Sequence, residues 1–129
     1  GIDQQTLYCT YSLPCTVDLR GTNLGQADSI LIAQPSGTCG RILSNVPEIE
    51  VNPATMVSRV NNTLTFHLGV VSKLDVLKVC YCINFGNRAC TTGGAPVYEH
   101  FSMAAGFIEV RGPRLNATLS PARAGAPYR

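Results

Sequence analysis

Half of the chain's six cysteines fall in one short stretch, "KVCYCINFGNRAC", from Lys78 to Cys90. Cys80 and Cys82 are separated by Tyr81 alone. Structural zinc sites favour C-x2–4-C pairs, so that two sulfurs can turn onto one ion, and a C-x-C pair fits them poorly. Redox centres use C-x-x-C at a helix start, where the helix dipole lowers a thiol pKa. The flanking "VLKVCYCINF" is β-branched and aromatic, which favours a strand. In a strand, residues two apart share a face. Cys80 and Cys82 therefore point one way and Tyr81 the other, and each cysteine reaches a separate partner.

The turn residues favour a pairing. Gly86 and Asn87 lie between Cys82 and Cys90, and Ser12 and Pro14 between Cys9 and Cys15, so each pair spans a reversal. Cys39 is then left for Cys80. Six cysteines allow fifteen pairings, and sequence does not choose among them. The expectation is that all six are oxidised, as Cys9–Cys15, Cys39–Cys80 and Cys82–Cys90, and that no metal or other cofactor is held.

The 129 residues suit one domain with a real core. Only 14% are charged, and Thr, Ser, Asn, Gly and Val are plentiful, which reads as an extracellular β-domain. An even cysteine count agrees with an oxidising compartment, secreted or at the cell surface. Asn61-Asn62-Thr63 and Asn116-Ala117-Thr118 are N-glycosylation sequons, making Asn61 and Asn116 the candidate glycan acceptors. No run of eighteen apolar residues is present, so no membrane span is expected. Gly1 reads as the start of a processed product or of an excised domain.

Strand signals dominate. Val17 and Leu19 alternate with Thr16, Asp18 and Arg20. "SILIA" is a short apolar run, and Leu64, Phe66 and Leu68 alternate with Thr65 and His67. Leu77, Val79, Tyr81 and Ile83 alternate with Lys78, Cys80 and Cys82, where a short helix over Asp75 to Val79 competes. "GFIEVRG" ends at Gly112-Pro113. "GTNLGQAD", "QPSGTCG", "NVPEIEVNP" and "TTGGAP" punctuate these segments as turns. About seven short strands at this spacing predict an all-β, immunoglobulin-like antiparallel β-sandwich stapled by disulfides over residues 1–113. The chain has no tryptophan, so the Trp that packs on an antibody-type inter-sheet disulfide is missing.

The stretch "CTVDLRGTNLGQADSILI", followed by Cys39, resembles the opening of immunoglobulin-like, plexin and transcription-factor (IPT/TIG) domains. The matching residues are Val17, Leu19, Gly21, Thr22, Asn23, Leu24, Ile30 and Ile32. "LKVCYC" and "GFIEVRGP" resemble late strands of cysteine-rich versions repeated in large surface proteins of single-celled eukaryotes. The resemblance implies a binding or spacer module and no catalysis.

No catalytic signature stands out. His67 falls mid-strand facing outward, and His100, beside Glu99, falls in a loop. Glu48 and Glu50 are expected to share a strand face, where exposed carboxylates discourage edge pairing. Asp18, Asp28 and Asp75 lack calcium-loop spacing, and Gly93-Gly94 lacks the Lys and Ser/Thr of a phosphate loop. Tyr8, Tyr11, Tyr81 and Tyr98 are not interleaved with arginine, so nucleic acid is not an expected partner.

Residues 114–129 form a basic Pro/Ala-rich tail. Beyond Val110 there are four arginines and no acid, while the body before it is net acidic. This tail reads as a linker or a docking arm, with Arg114, Leu115, Leu119 and Arg123 as the docking residues and "LNATL" able to add as a strand. The expected function is a non-enzymatic structural or adhesion module, one unit of a larger surface protein or extracellular filament. Its partners would be adjacent domains or identical subunits, with a cell-surface receptor or glycan as the other candidates. The alternative is a stand-alone secreted receptor- or carbohydrate-binding domain.

Overall fold

The computed structural model describes residues 4–21, 28–42, 46–84, 89–93 and 95–112. Strands β1 (Gln5–Thr10), β2 (Pro14–Arg20), β3 (Ser29–Ala33), β4 (Ala54–Val60), β5 (Thr63–Val70), β6 (Val76–Cys82) and β9 (Met103–Arg111) form one hydrogen-bonded series. Its order is β1-β9-β6-β3-β4-β5-β2. The short strands β7 (Thr91–Thr92) and β8 (Ala95–Pro96) form a separate ribbon. Among the described residues helix is limited to a 3-10 turn at Tyr98–His100.

The series folds over itself into two layers because β4 changes partner along its length. Ala54 and Thr55 pair with Ile30 and Ser29 of β3. From Met56 onward the strand pairs with β5, after a register shift between Met56 and Ser58. One layer is β1-β9-β6-β3, the other β2-β5 with the second half of β4. Pairing is antiparallel except that the first strand, β1, runs parallel to the last, β9. This is an all-β, immunoglobulin-like sandwich, bent nearly into a closed barrel. The alternating residues explain it: Val17 and Leu19, Leu64, Phe66 and Leu68, Ile30 and Ile32, Leu77, Val79 and Tyr81, and Ile108 and Val110 meet in one core. Residues 74–83 contain no helix; β-branched and cysteine side chains are accommodated better on a pleated strand.

Two strands lie outside the sequence expectation. The Cys9–Cys15 segment is not a loop alone: Cys9 lies in β1 and Cys15 in β2, two strands that pair with different neighbours and are joined by a tight turn. Ser12 sits at φ +68° in its turn. This bridge ties together the two ends of the strand series, and Gln5 Nε2 adds a bond to the Arg20 carbonyl at 3.2 Å. Strand β4 buries only Ala54 fully and exposes Val57 and Val60, so its sequence carries no alternation.

Glu48 and Glu50 require a correction. They lie on no strand; between them Ile49 makes an isolated bridge to Val71 and is buried. Glu50 instead accepts a bond from the Val70 N–H at 2.8 Å and packs over Gly69, a glycine at φ +70°. Just beyond, the Asn52 side chain acts as a surrogate strand. Its Oδ1 accepts from Ile32 N at 2.9 Å and its Nδ2 donates to Ile32 O at 2.8 Å, pairing β3 where β4 has not yet begun.

The core contains a carboxylate. Asp28 is fully buried, and its Oδ2 accepts a hydrogen bond from the Tyr81 hydroxyl while its Oδ1 accepts from Asn84 N at 3.0 Å. Burial, reinforced by the bond to Asp28 and by its charge, pushes the Tyr81 hydroxyl well above the usual phenol range, against a smaller opposing pull from Arg59.

Two outcomes follow. Tyr81→Phe removes one donor from a buried carboxylate and should cost about 1–3 kcal/mol in urea denaturation. The unfolded tyrosine ionises near pH 10 while the folded one holds its proton above that. This contribution is complete below about pH 10 and is lost as pH rises, because the unfolded state releases the proton first. Wild-type stability should therefore fall more steeply than that of Tyr81→Phe over the alkaline range. The second outcome concerns Gly106, at φ +125°, where a Cβ would lie 1.8 Å from the Gln5 carbonyl oxygen. Gly106→Ala should release β1 from β9, seen as fast amide exchange at the β1 residues paired with β9.

Candidate functional site

The out-of-phase residues of β6 build the second half of the molecule. Tyr81 points into the main core, whereas Cys80 and Cys82 lie in a smaller cluster on the outer face of the same layer, with Leu31, Ala33, Cys90 and Phe101. Cys39 and Tyr98 pack against it. Cys80 bonds Cys39 with Cα atoms 5.5 Å apart, and Cys82 bonds Cys90 with Cα atoms 5.9 Å apart. No free cysteine remains. The Cys39–Cys80 bridge fastens a loop onto the outside of a layer. It does not cross between layers, consistent with the absence of an antibody-type tryptophan.

Two loops form this cap. In the first, residues 34–42, Gly37 N donates to Gln34 O at 3.0 Å and Lys78 Nζ donates to Gly37 O at 2.6 Å. In the second, residues 89–101, Val97 N donates to Cys90 O at 2.9 Å and Cys90 N to Asn84 Oδ1 at 3.3 Å. The loops meet where Gly40, at φ +89°, lies against Ser102. Between them runs an open groove of about 590 Å³, walled by Gly40, Arg41 and Ile42 on one side and by Pro96, Val97, Tyr98 and Glu99 on the other.

The histidines do not converge on it. His67 is exposed on β5 with Nδ1 2.9 Å from Thr16 Oγ1. His100 donates from Nδ1 to the Ala89 carbonyl at 2.8 Å, since that carbonyl can only accept, and so holds the cap together. The tyrosines are dispersed: Tyr81 in the main core, Tyr98 in the cap, and Tyr8 on the exposed face of β1 under the Arg111 guanidinium, 4.5 Å from the ring centroid. Among the described residues no group of three His, Cys, Asp or Glu side chains could hold a metal ion. No described helix is long and apolar enough to cross a membrane.

Asn61 sits at the exposed tip of the β4–β5 hairpin at φ +54°, open to a modifying enzyme. Asn116 and the docking residues Arg114, Leu115, Leu119 and Arg123 lie outside the described residues, as do Thr22, Asn23 and Leu24. Arg41, Ile42 and Glu99 gave no signal of a shared site, because the two loops that carry them lie far apart in sequence and are brought together by the bridges to β6 and by packing.

No family model matches the chain, and no curated protein does. Among solved structures it is similar to one titled as the ZIG-8 IG1 homodimer, at 11% identity and a TM-score of 0.40, over 86% of this chain and 82% of that one. A likeness at this level adds nothing to what the strand order itself shows.

The bridges differ in what they close. Chain-entropy scaling over separations of 41 and 6 residues gives about 4 kcal/mol for Cys39–Cys80 and about 2 kcal/mol for Cys9–Cys15. Paired Cys→Ala substitutions, compared by thermal melting, should show the Cys39/Cys80 variant losing more. In that variant the amides of residues 34–42 should also exchange faster than those of β2 and β5.

Proposed function

We propose that this chain is a non-catalytic structural or adhesion module of an extracellular surface protein or filament, and that it contacts its partners through the disulfide-clamped cap. The observation that carries this reading is the use of two of the three bridges to fix loops onto the outer face of one layer. Loops held in place before contact lose little conformational freedom on binding, and loops on a rigid scaffold are where binding surfaces concentrate. Three disulfides also suit an oxidising compartment. Residues 1–113 would be the folded unit, repeated along a longer protein, and residues 114–129 a linker or an arm docking on the next module through Arg114, Leu115, Leu119 and Arg123. Glycans at Asn61 and Asn116 would keep the hairpin tip and the tail clear of unwanted contacts.

The test uses the secreted protein, tetramerised on streptavidin to amplify weak contacts, against immobilised copies of itself, cell surfaces and a glycan array. The expected result is binding to protein or cells that is lost in the Cys39→Ala/Cys80→Ala variant and kept in the Cys9→Ala/Cys15→Ala variant. Binding that ignores the cap variant, or none to any probe, overturns the proposal. Signal confined to the glycan array favours a carbohydrate-binding domain instead.

A further inference from the structure

The cap groove carries one exposed charge of each sign, on opposite walls. Arg41 on one wall and Glu99 on the other are both exposed. Arg111 is paired with Glu109, whereas among the described residues the Arg41 and Glu99 side chains make no ion pair or hydrogen bond. Beside Arg41 stands Ile42, 88% exposed, the barest large apolar side chain among the described residues. It projects as a knob at the edge of a groove whose opposite wall offers Pro96, Val97 and the half-buried Tyr98.

We propose that the cap binds the cap of a second copy of this chain across a two-fold axis. This rests on the reading of the cap as the contact surface and names its partner. A two-fold interface needs a patch that complements itself, with each residue i meeting j on the other copy and each j meeting i. One patch here holds a knob and a groove, and one free cation and one free anion. Two copies facing each other place Ile42 of each in the groove of the other, and Arg41 of each against Glu99 of the other. A small ligand fits less well, because an isoleucine this exposed does not enclose anything. An acidic or basic partner fits less well too, because each would meet one like charge. The buried patch is small, so the pairing is weak for single domains and gains strength where many modules are arrayed on one surface.

The test is sedimentation velocity on the oxidised protein over rising concentration at low salt. Wild type should dimerise, with the dimer weakening as salt screens the two ion pairs. Arg41→Glu and Glu99→Arg each set two like charges against each other and should weaken the dimer at least about tenfold. Mixing the two single variants should restore pairing between them, since each then supplies the charge the other lacks, and R41E/E99R should recover the wild-type dimer. Ile42→Asp should abolish it. A wild type that stays monomeric up to about 1 mM overturns the proposal. A dimer unchanged by Ile42→Asp, or single variants whose mixture recovers nothing, overturns it as well. If the tetramerised probe still binds cells through the cap while these experiments show a monomer, the cap's role as a contact surface stands and its partner is a different protein.

Discussion

Leu77, Val79 and Tyr81 of β6 face the space between the layers, while Cys80 and Cys82, one step out of phase, face away from it. An antiparallel sheet of a sandwich ordinarily leaves its outer face to water, and its strands then alternate apolar with polar. Here β6 is buried on both sides, and β3 beside it is buried along its whole length. The outer apolar residues need a cover, and the cap supplies it, centred on the fully buried Phe101. Burying one such ring contributes roughly 1.5–3 kcal/mol, too little to order two long loops. The two covalent bonds to β6 close that gap by removing loop freedom from the unfolded chain.

The same strand sets the register of its layer. Ser29 pairs with Cys82 and Ile30 with Tyr81. A slip of one residue would turn every β6 side chain to the opposite face. Both cysteines would then point into the main core, and the buried Asp28 would lose its hydrogen bond from the Tyr81 hydroxyl. An apolar strand can slip at modest cost; one that carries a bridge on one face and a buried hydrogen bond on the other cannot. This gives the buried Asp28 a structural use: it contributes less to net stability than to the uniqueness of one pairing.

The features legible in the sequence were those with local periodicity. Alternation marked the inward residues of β2, β5 and β6, the apolar run marked β3, the Gly-Pro stop marked the end of β9, and the C-x-C spacing divided Cys80 and Cys82 from Tyr81. Strand β4 was hidden because it is held by backbone pairing at the join between layers, where Val57 and Val60 are exposed and no alternation exists. Strand β1 was hidden behind its own cysteine, which drew a strand and its turn into one apparent loop. Glu48 and Glu50 were misplaced because an i, i+2 spacing is shared by strands and by irregular chain held by a single bridge at Ile49. The Tyr81–Asp28 bond, the Asn52 surrogate pairing and the approach of Gln5 to Gly106 join residues 53, 20 and about a hundred positions apart, distances at which sequence pattern carries no signal.

The β1-β9-β6-β3 layer presents two surfaces to solvent, and their charges separate them. At the β1–β9 end, Tyr8 and Phe107 are exposed, but Arg111 is committed twice, to Glu109 at 2.6 Å and to the Tyr8 ring. A partner docking there would have to break those contacts or bury them. On the cap, Arg41 and Glu99 are exposed and, among the described residues, have no side-chain partner to surrender. Pairing them across a contact costs only their hydration, and the Coulomb attraction offsets part of it where water is partly excluded. Exposed charges that stay apart within one patch are therefore a better guide to where a partner fits than the exposed rings of Tyr8 and Phe107 at the other end.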